Sequence, residues 1–212
     1  MSATNRHGLA RSAHDYYETP PHALQDLAEE LGIKSNSEGY LLDAGSGNGA
    51  IGAYFAREFP RIEVEGIELQ QELVDVARAR HVYNAAFNQG DFLHAECTIP
   101  KHLLEWVIMN PPYNAEEGTA LQFLKRALCM GHEGTQVAAL LRVGFFEASP
   151  DKPLGKERQE FLAANPFDLL LCQRRPSFNG AGTDGTSYAW YIFGEGRGNF
   201  FRIQKSVGSK CK

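Results

Sequence analysis

Tyr40-Leu41-Leu42-Asp43-Ala44-Gly45-Ser46-Gly47-Asn48-Gly49-Ala50 is the stretch that decides the fold. An apolar run ends in an acid, a glycine-rich segment follows, and Ile51 to Phe59 can form a helix, so the order is strand, tight loop, helix. Glycines in such a loop permit positive φ and let a ligand approach the backbone, with a helix N-terminus behind it. The spacing leaves the ligand open, because Gly45-x-Gly47-x-x-Ala50 also fits the dinucleotide fingerprint. Asp43, directly before the loop, suits a cationic amino group and would repel a pyrophosphate. Glu68 stands 25 positions after Asp43, where an acid can accept both hydroxyls of a ribose. Asp91, in Gly90-Asp91-Phe92, is placed to accept from an adenine amino group while Phe92 packs on the ring. The plainer readings make Asp43 a helix cap and Asp91 a turn residue.

Outward from the loop, the chain alternates strands and helices. Upstream, Thr19-Pro20-Pro21 followed by Leu24, Leu27, Ala28 and Leu31, then Gly32, reads as a capped amphipathic helix. Downstream, Arg61 to Leu69 reads as a strand and Gln70 to His81 as a helix. Trp106 to Met109 is a buried strand, Thr119 to Met130 a helix, Val137 to Val143 a strand, Lys156 to Ala164 a helix and Asp168 to Gln173 a strand. The aromatic run Ser187 to Phe193 follows the turn-like Gly180 to Gly185 and should pair as a hairpin with the strand before it. Repeated β-α units ending in a hairpin imply an α/β fold: a doubly wound, mostly parallel, Rossmann-like sheet with a terminal antiparallel strand. Ligands in such sheets sit beyond the carboxyl ends of the strands.

The chain has 212 residues, enough for one well-buried core and cramped for two. Its longest apolar run, Tyr188 to Phe193, falls far short of the ~18 residues of a membrane span, and the N-terminus lacks the apolar stretch of a secretory signal. A cytoplasmic protein with no membrane partner is expected. Cys97, Cys129, Cys172 and Cys211 are scattered without ligand spacing, so neither a metal site nor a disulfide framework is expected. The net charge of −5 is uneven. Residues 197–212 carry +5 and residues 1–14 carry +2, which leaves −12 on the body. The organisation read from this is a flexible basic arm (1–14), one domain (15–196) and a basic tail (197–212).

Asp43 to Gly49, with Glu68 and Asp91 downstream, resembles the S-adenosylmethionine (SAM) site of class I methyltransferases. The resemblance implies SAM as cofactor, held by Asp43, Ala44, Gly45, Gly47 and Gly49 of the loop, Glu68 and Leu69 at the ribose, and Asp91 and Phe92 at the adenine.

Met109-Asn110-Pro111-Pro112-Tyr113 carries the most specific signal. Two prolines stiffen the backbone after a buried strand and remove two N–H donors. The Asn110 side-chain oxygen and the Pro111 carbonyl can then both accept from one NH₂ group, localising its nitrogen lone pair for attack on a methyl without a strong base. Tyr113 offers a face for a planar group. This matches the N-P-P-Y motif of methyltransferases acting on planar NH₂ groups, namely adenine N6 in DNA or RNA and protein glutamine amides. The resemblance implies that Asn110, Pro111, Pro112 and Tyr113 are catalytic, with Tyr113 stacking on a base flipped out of a duplex.

Two segments lean toward DNA adenine. Tyr16-Tyr17-Glu18-Thr19-Pro20-Pro21 resembles the Tyr-x-Thr-Pro segment of DNA amino-methyltransferases, implying that Tyr17, Thr19 and Asn110 close over the methionine end of SAM. Arg174-Arg175-Pro176-Ser177-Phe178 with Tyr188 to Tyr191 resembles the terminal strands of small phage-type adenine methyltransferases, implying substrate contacts from Arg174, Arg175 and Phe178, with Asn114 beside Tyr113. Lys152, Lys156 and Arg158 are further phosphate-contact candidates. No sizeable recognition domain fits in the chain, so specificity is expected to be weak or supplied by a partner or a second copy. DNA is thus the expected substrate, which would put the protein at the nucleoid. RNA adenine, a protein glutamine, or a non-catalytic SAM-binding scaffold are the alternatives, and a nicotinamide oxidoreductase comes last for want of a proton relay.

Overall fold

The computed structural model describes residues 18–112, 118–147, 149, 151–172 and 186–198, with the backbone of 201–203. Helix α1 (Pro21–Glu30) precedes β1 (Gly39–Ala44), α2 (Ala50–Glu58), β2 (Ile62–Glu68), α3 (Gln71–Arg78) and β3 (Ala85–Gln89). Then come β4 (Leu104–Met109), α4 (Thr119–Met130), β5 (Gln136–Arg142), α5 (Pro153–Ala164), β6 (Phe167–Leu171), β7 (Tyr188–Phe193) and β8 (Phe201–Ile203). They form one eight-stranded sheet in the order β3-β2-β1-β4-β5-β7-β6-β8. Strands β1 to β5 run parallel, and β7 is antiparallel to both β5 and β6, as the hairpin reading requires.

Burial on both faces explains the apolar runs. Leu41 and Leu42, adjacent in β1, are both fully buried and serve opposite core layers. Leu41, Ile108, Leu140 and Trp190 meet Leu24 and Leu27 of α1 and Phe55 of α2. Leu42, Val107, Leu141 and Tyr191 meet Leu121 and Leu124 of α4 and Phe161 of α5. Strand order reverses between β1 and β4, so the loops after these two strands diverge and leave a crevice at their carboxyl ends.

Four expectations change. Thr19 does not cap α1, whose N-cap is Pro20 with no side-chain bond. Helix α5 begins at Pro153, three residues before Lys156. Strand β3 is absent from the sequence reading, since only Phe87 of its five residues is buried and no alternation marks it. The stretch read as a basic tail also folds back, because β8 pairs in parallel with β6. Arg197 is part of that return: its guanidinium bonds Glu30 Oε1 and Asp168 Oδ2 (both 3.0 Å) and Gln136 Oε1 (2.7 Å), and it is only 14% exposed. It ties α1, β5 and β6 together rather than serving as a surface cation.

Candidate active site

At the crevice, the loop after β1 turns sharply into α2. Gly47 (φ 53°) and Gly49 (φ 76°) take left-handed conformations, and a Cβ on Gly49 would stand 2.7 Å from that of Ala77. Gly49 therefore serves the packing of α2 and α3 and does not line the cleft. Four of the loop's N–H groups are committed within the protein. Gly45 and Ser46 both donate to the Ile67 carbonyl (2.9 and 3.0 Å), Gly47 donates to Glu68 Oε2 (2.8 Å) and Gly49 to the Ser46 carbonyl (2.8 Å). A pyrophosphate would have to displace these bonds, which weighs against the dinucleotide reading left open by the spacing.

A cleft of about 220 Å³ opens over this loop, lined by Gly45, Gly47, Glu68, Leu69, Asp91 and Phe92 at one end and by Thr19, Asn110 and Pro112 at the other. Ala44, Asp43 and Pro111 lie buried and do not line it. Asp43 is wholly buried under the loop, where Oδ2 accepts from the Gly52 N–H in the first turn of α2 (2.9 Å). Its Oδ1 has no hydrogen-bond partner. The structural and ligand readings of Asp43 thus fall on different oxygens. Burial pushes its carboxyl up to about 7, the Gly52 bond pulling against this and the charge of Glu68 adding to it. Glu68 uses Oε1 for the Gln70 N–H (3.0 Å) and Oε2 for Gly47, and each oxygen keeps a further lone pair. Asp91 makes the turn that was its plain reading, accepting from the Leu93 N–H (3.0 Å), while its side chain stays half-exposed at the cleft.

The segment before α1 straps the two ends together. The Asn110 amide nitrogen donates to Thr19 Oγ1 (3.1 Å), and Thr19 is buried. Glu18 accepts from Asn48 Nδ2 (2.8 Å) and pairs with Arg80 (3.5 Å), which itself donates to the Asn48 carbonyl (2.7 Å). Ser46 Oγ and Asn48 Oδ1 are buried without partners at the cleft.

Sequence reasoning missed Ser46, Asn48, Glu18 and Phe123. The first two were variable positions of the glycine loop. Phe123 sits on the apolar face of α4 and reads as core, yet its ring meets Phe92 at 4.9 Å and lines the cleft. Glu65 was also missed: it is buried in β2, where it accepts from the Thr98 N–H and hydroxyl (both 2.8 Å) and pins the chain that follows Asp91. Of the expected site residues, Tyr17, Tyr113, Asn114, Arg174, Arg175 and Phe178 lie outside the described residues. Lys152 and Arg158 line a neighbouring cleft, whereas Lys156 does not and pairs with Glu160 (3.8 Å).

Comparison with known proteins gives the family and the fold. Residues 24–136 match the model of the methyltransferase small domain. The release factor glutamine methyltransferase of Vibrio cholerae is 37% identical over 83 residues, which is 37% of this chain and 28% of the relative. That of Koribacter versatilis is 34% identical over 79 residues, 36% of this chain and 28% of the relative. The matches therefore span little more than a quarter of these relatives. Among solved structures, a class I SAM-dependent methyltransferase of Listeria monocytogenes superposes with a TM-score of 0.66 at 13% identity, over 93% of this chain and 67% of the other. An RNA methyltransferase of Pyrococcus horikoshii gives 0.62 at 20%, over 84% and 85%.

Proposed function

The chain belongs to the methyltransferase small domain family, with SAM as cofactor on a class I fold, and on that premise we propose that it transfers the SAM methyl group to a planar NH₂ nitrogen. One observation carries the reading: Asn110 and Pro112 line the same cleft as Glu68 and Asp91, so the acceptor motif and the cofactor residues open into one cavity.

The residues present fit SAM. The cleft holds acids and unpartnered buried atoms, Ser46 Oγ and Asn48 Oδ1, with Asp43 Oδ1 beneath, and four of the loop amides that a phosphate would use are already bonded. Glu68 would take the ribose hydroxyls, Asp91 the adenine amine, and Asp43, in its ionised form, would favour the ammonium end. Bound there, SAM supplies an electrophilic sulfonium methyl.

The chain's own contribution lies in orienting the acceptor. Thr19 holds the Asn110 nitrogen, which leaves the accepting work to Asn110 Oδ1. With the Pro111 carbonyl, that oxygen would grip the two hydrogens of an NH₂ group, keep the lone pair on nitrogen and out of the planar system, and stabilise the positive charge that develops on that nitrogen as the S–CH₃ bond breaks and the N–CH₃ bond forms, after which the nitrogen gives up one hydrogen to solvent as a proton.

Two acceptors satisfy this chemistry. A glutamine side-chain amide is supported by the curated relatives, which methylate release factors at glutamine. Adenine N6 is the second reading, supported by the resemblance of residues 16–21, of which Thr19 bonds Asn110, to a segment of DNA amino-methyltransferases. The test is transfer of a labelled SAM methyl to duplex DNA, single-stranded DNA, RNA and a glutamine-containing peptide, with Asn110→Ala alongside. Label recovered as N6-methyladenine or as N5-methylglutamine, and lost in the variant, supports the planar-NH₂ reading and selects the acceptor. Label on any other atom, or none despite SAM binding, overturns it.

A further inference from the structure

Beside the cofactor cleft lies a second one of about 510 Å³, at the carboxyl end of β5. The two share the N-terminus of α4: Thr119 borders the first, Gly118 and Ala120 the second. Arg142, Lys152 and Arg158 line the second cleft, and among the described residues no acidic side chain lines it. This is against the composition of the body, which carries −12.

Its position follows from the sheet. Strand β5 runs parallel beside β4 with Ala139 opposite Met109, so Arg142 stands two positions beyond the level of Asn110, roughly 7 Å further along the neighbouring strand. Two helices also begin at this cleft, α4 after Gly118 and α5 after Lys152. First-turn N–H groups lack intrahelical acceptors and carry partial positive charge, which adds to the field of the three cations.

The cationic wall is built in advance of any ligand. The Tyr191 hydroxyl donates to the Val143 carbonyl (2.7 Å) and accepts from the Phe146 N–H (3.2 Å), which fixes the turn after β5. Phe145 in that turn meets the Tyr191 ring edge-on at 5.5 Å. The Arg158 guanidinium then stacks 5.0 Å from the Phe145 centroid and donates to the Glu147 carbonyl at 3.4 Å, while its Nε is buried without a partner. Among the described residues the neighbouring acids are outside the lining: Asp151 faces the Ser149 hydroxyl (3.5 Å), Glu157 pairs with Lys125 and Glu160 with Lys156, while Glu147 stands at the edge, its Oε2 3.7 Å from where a Cβ on Gly144 would be.

We infer that the cleft between β5, α4 and α5 is a phosphate subsite, and that it holds a backbone phosphate of a nucleic acid whose base is presented at Asn110. The inference rests on the planar-NH₂ reading of the neighbouring site and chooses between its two acceptors. A planar guanidinium beside further cations matches the several oxygens of a phosphate. A nucleic acid presents such a group beside every base, whereas a glutamine amide has an anion at that place only when its sequence supplies one.

The test is binding of a fluorescein-labelled, adenine-containing single-stranded oligodeoxynucleotide to the full chain, followed by anisotropy across a salt series. Lys152→Glu, at an exposed position, and Arg158→Gln should each weaken binding about tenfold. The slope of log Kd against log salt should flatten by about 0.7, the counterion share of one phosphate on a single strand. SAM affinity should stay at the wild-type value. Unchanged Kd and slope in both variants overturn the inference, as does an acidic glutamine peptide that competes as well as the oligonucleotide. The labelled-transfer assay keeps the two proposals apart. Transfer to glutamine peptides alone sinks the phosphate subsite and leaves the planar-NH₂ chemistry standing. Variant-sensitive oligonucleotide binding without transfer to any acceptor does the reverse.

Discussion

Asp43 makes the apo-protein's stability depend on pH in a direction opposite to that of a salt-bridged carboxylate. Its carboxyl is wholly buried and stays protonated up to about 7, whereas in the unfolded chain it ionises near 3.8. Between those values the folded state holds one proton more than the unfolded state, so stability falls as pH rises. The shift amounts to about 4 kcal/mol, all of it lost by neutral pH and present below pH ~4. Other carboxylates titrate in the same range, so the measurement is a difference. Urea unfolding of wild type and Asp43→Asn would be followed at half-unit steps between about pH 4 and 8. Asn keeps an oxygen for the Gly52 N–H and has no charge to desolvate. The wild-type curve should fall relative to the variant's by a few kcal/mol across the window and run parallel to it above pH ~7.5. Parallel curves throughout would refute the reasoning. Because the ammonium group of bound SAM favours the ionised form, SAM binding near pH 6.5 should also release a fraction of a proton, read by calorimetry in two buffers of different ionisation enthalpy.

Three further outcomes are expected. Asn110→Ala should lower methyl transfer by at least ~100-fold, the scale of one lost transition-state hydrogen bond, while calorimetric SAM affinity stays within about threefold; equal loss of both would recast Asn110 as structural. Glu65→Ala strips the partners of the Thr98 N–H and hydroxyl, so it should cost about 3 kcal/mol in urea unfolding and weaken SAM binding through the displaced Asp91 turn. An unaltered SAM affinity in a destabilised protein would confine Glu65 to the fold. Arg197→Ala leaves Glu30 and Asp168 close together in a buried place and should cost about 3 kcal/mol, with SAM affinity unchanged; a loss under ~0.5 kcal/mol would show that the network is not closed in solution.

Legibility followed the physics of each element. Strands covered on both faces announced themselves, since Leu41-Leu42 and Trp106 to Met109 leave no room for a solvated side. Strand β3 did not: at the sheet edge it pairs only with β2 and buries one ring. Strand β8 could not be found by pattern, being three residues long and supported by a partner, β6, about thirty positions away. The acceptor motif was legible because two prolines after a buried strand are rare, and the glycine loop because the turn into α2 admits no Cβ at Gly49. Thr19, singled out for its resemblance to a known segment, proved to bond Asn110 across 91 positions, a contact that local sequence cannot encode.

The sequence by itself determined the β-α alternation, the place of the loop at a strand's carboxyl end, and the residue types at the acceptor motif, because periodicity, glycine conformation and proline stiffness are local properties. Tertiary structure alone decided how one carboxylate is shared. Asp43 gives one oxygen to α2 and keeps the other, Glu68 occupies the loop amide that a phosphate would need, and Arg142, Lys152 and Arg158 come to line one cleft in an acidic protein. Such outcomes depend on where burial removes water and which charges it leaves within a few ångströms, and these are set by strand order and register rather than by neighbours in the chain.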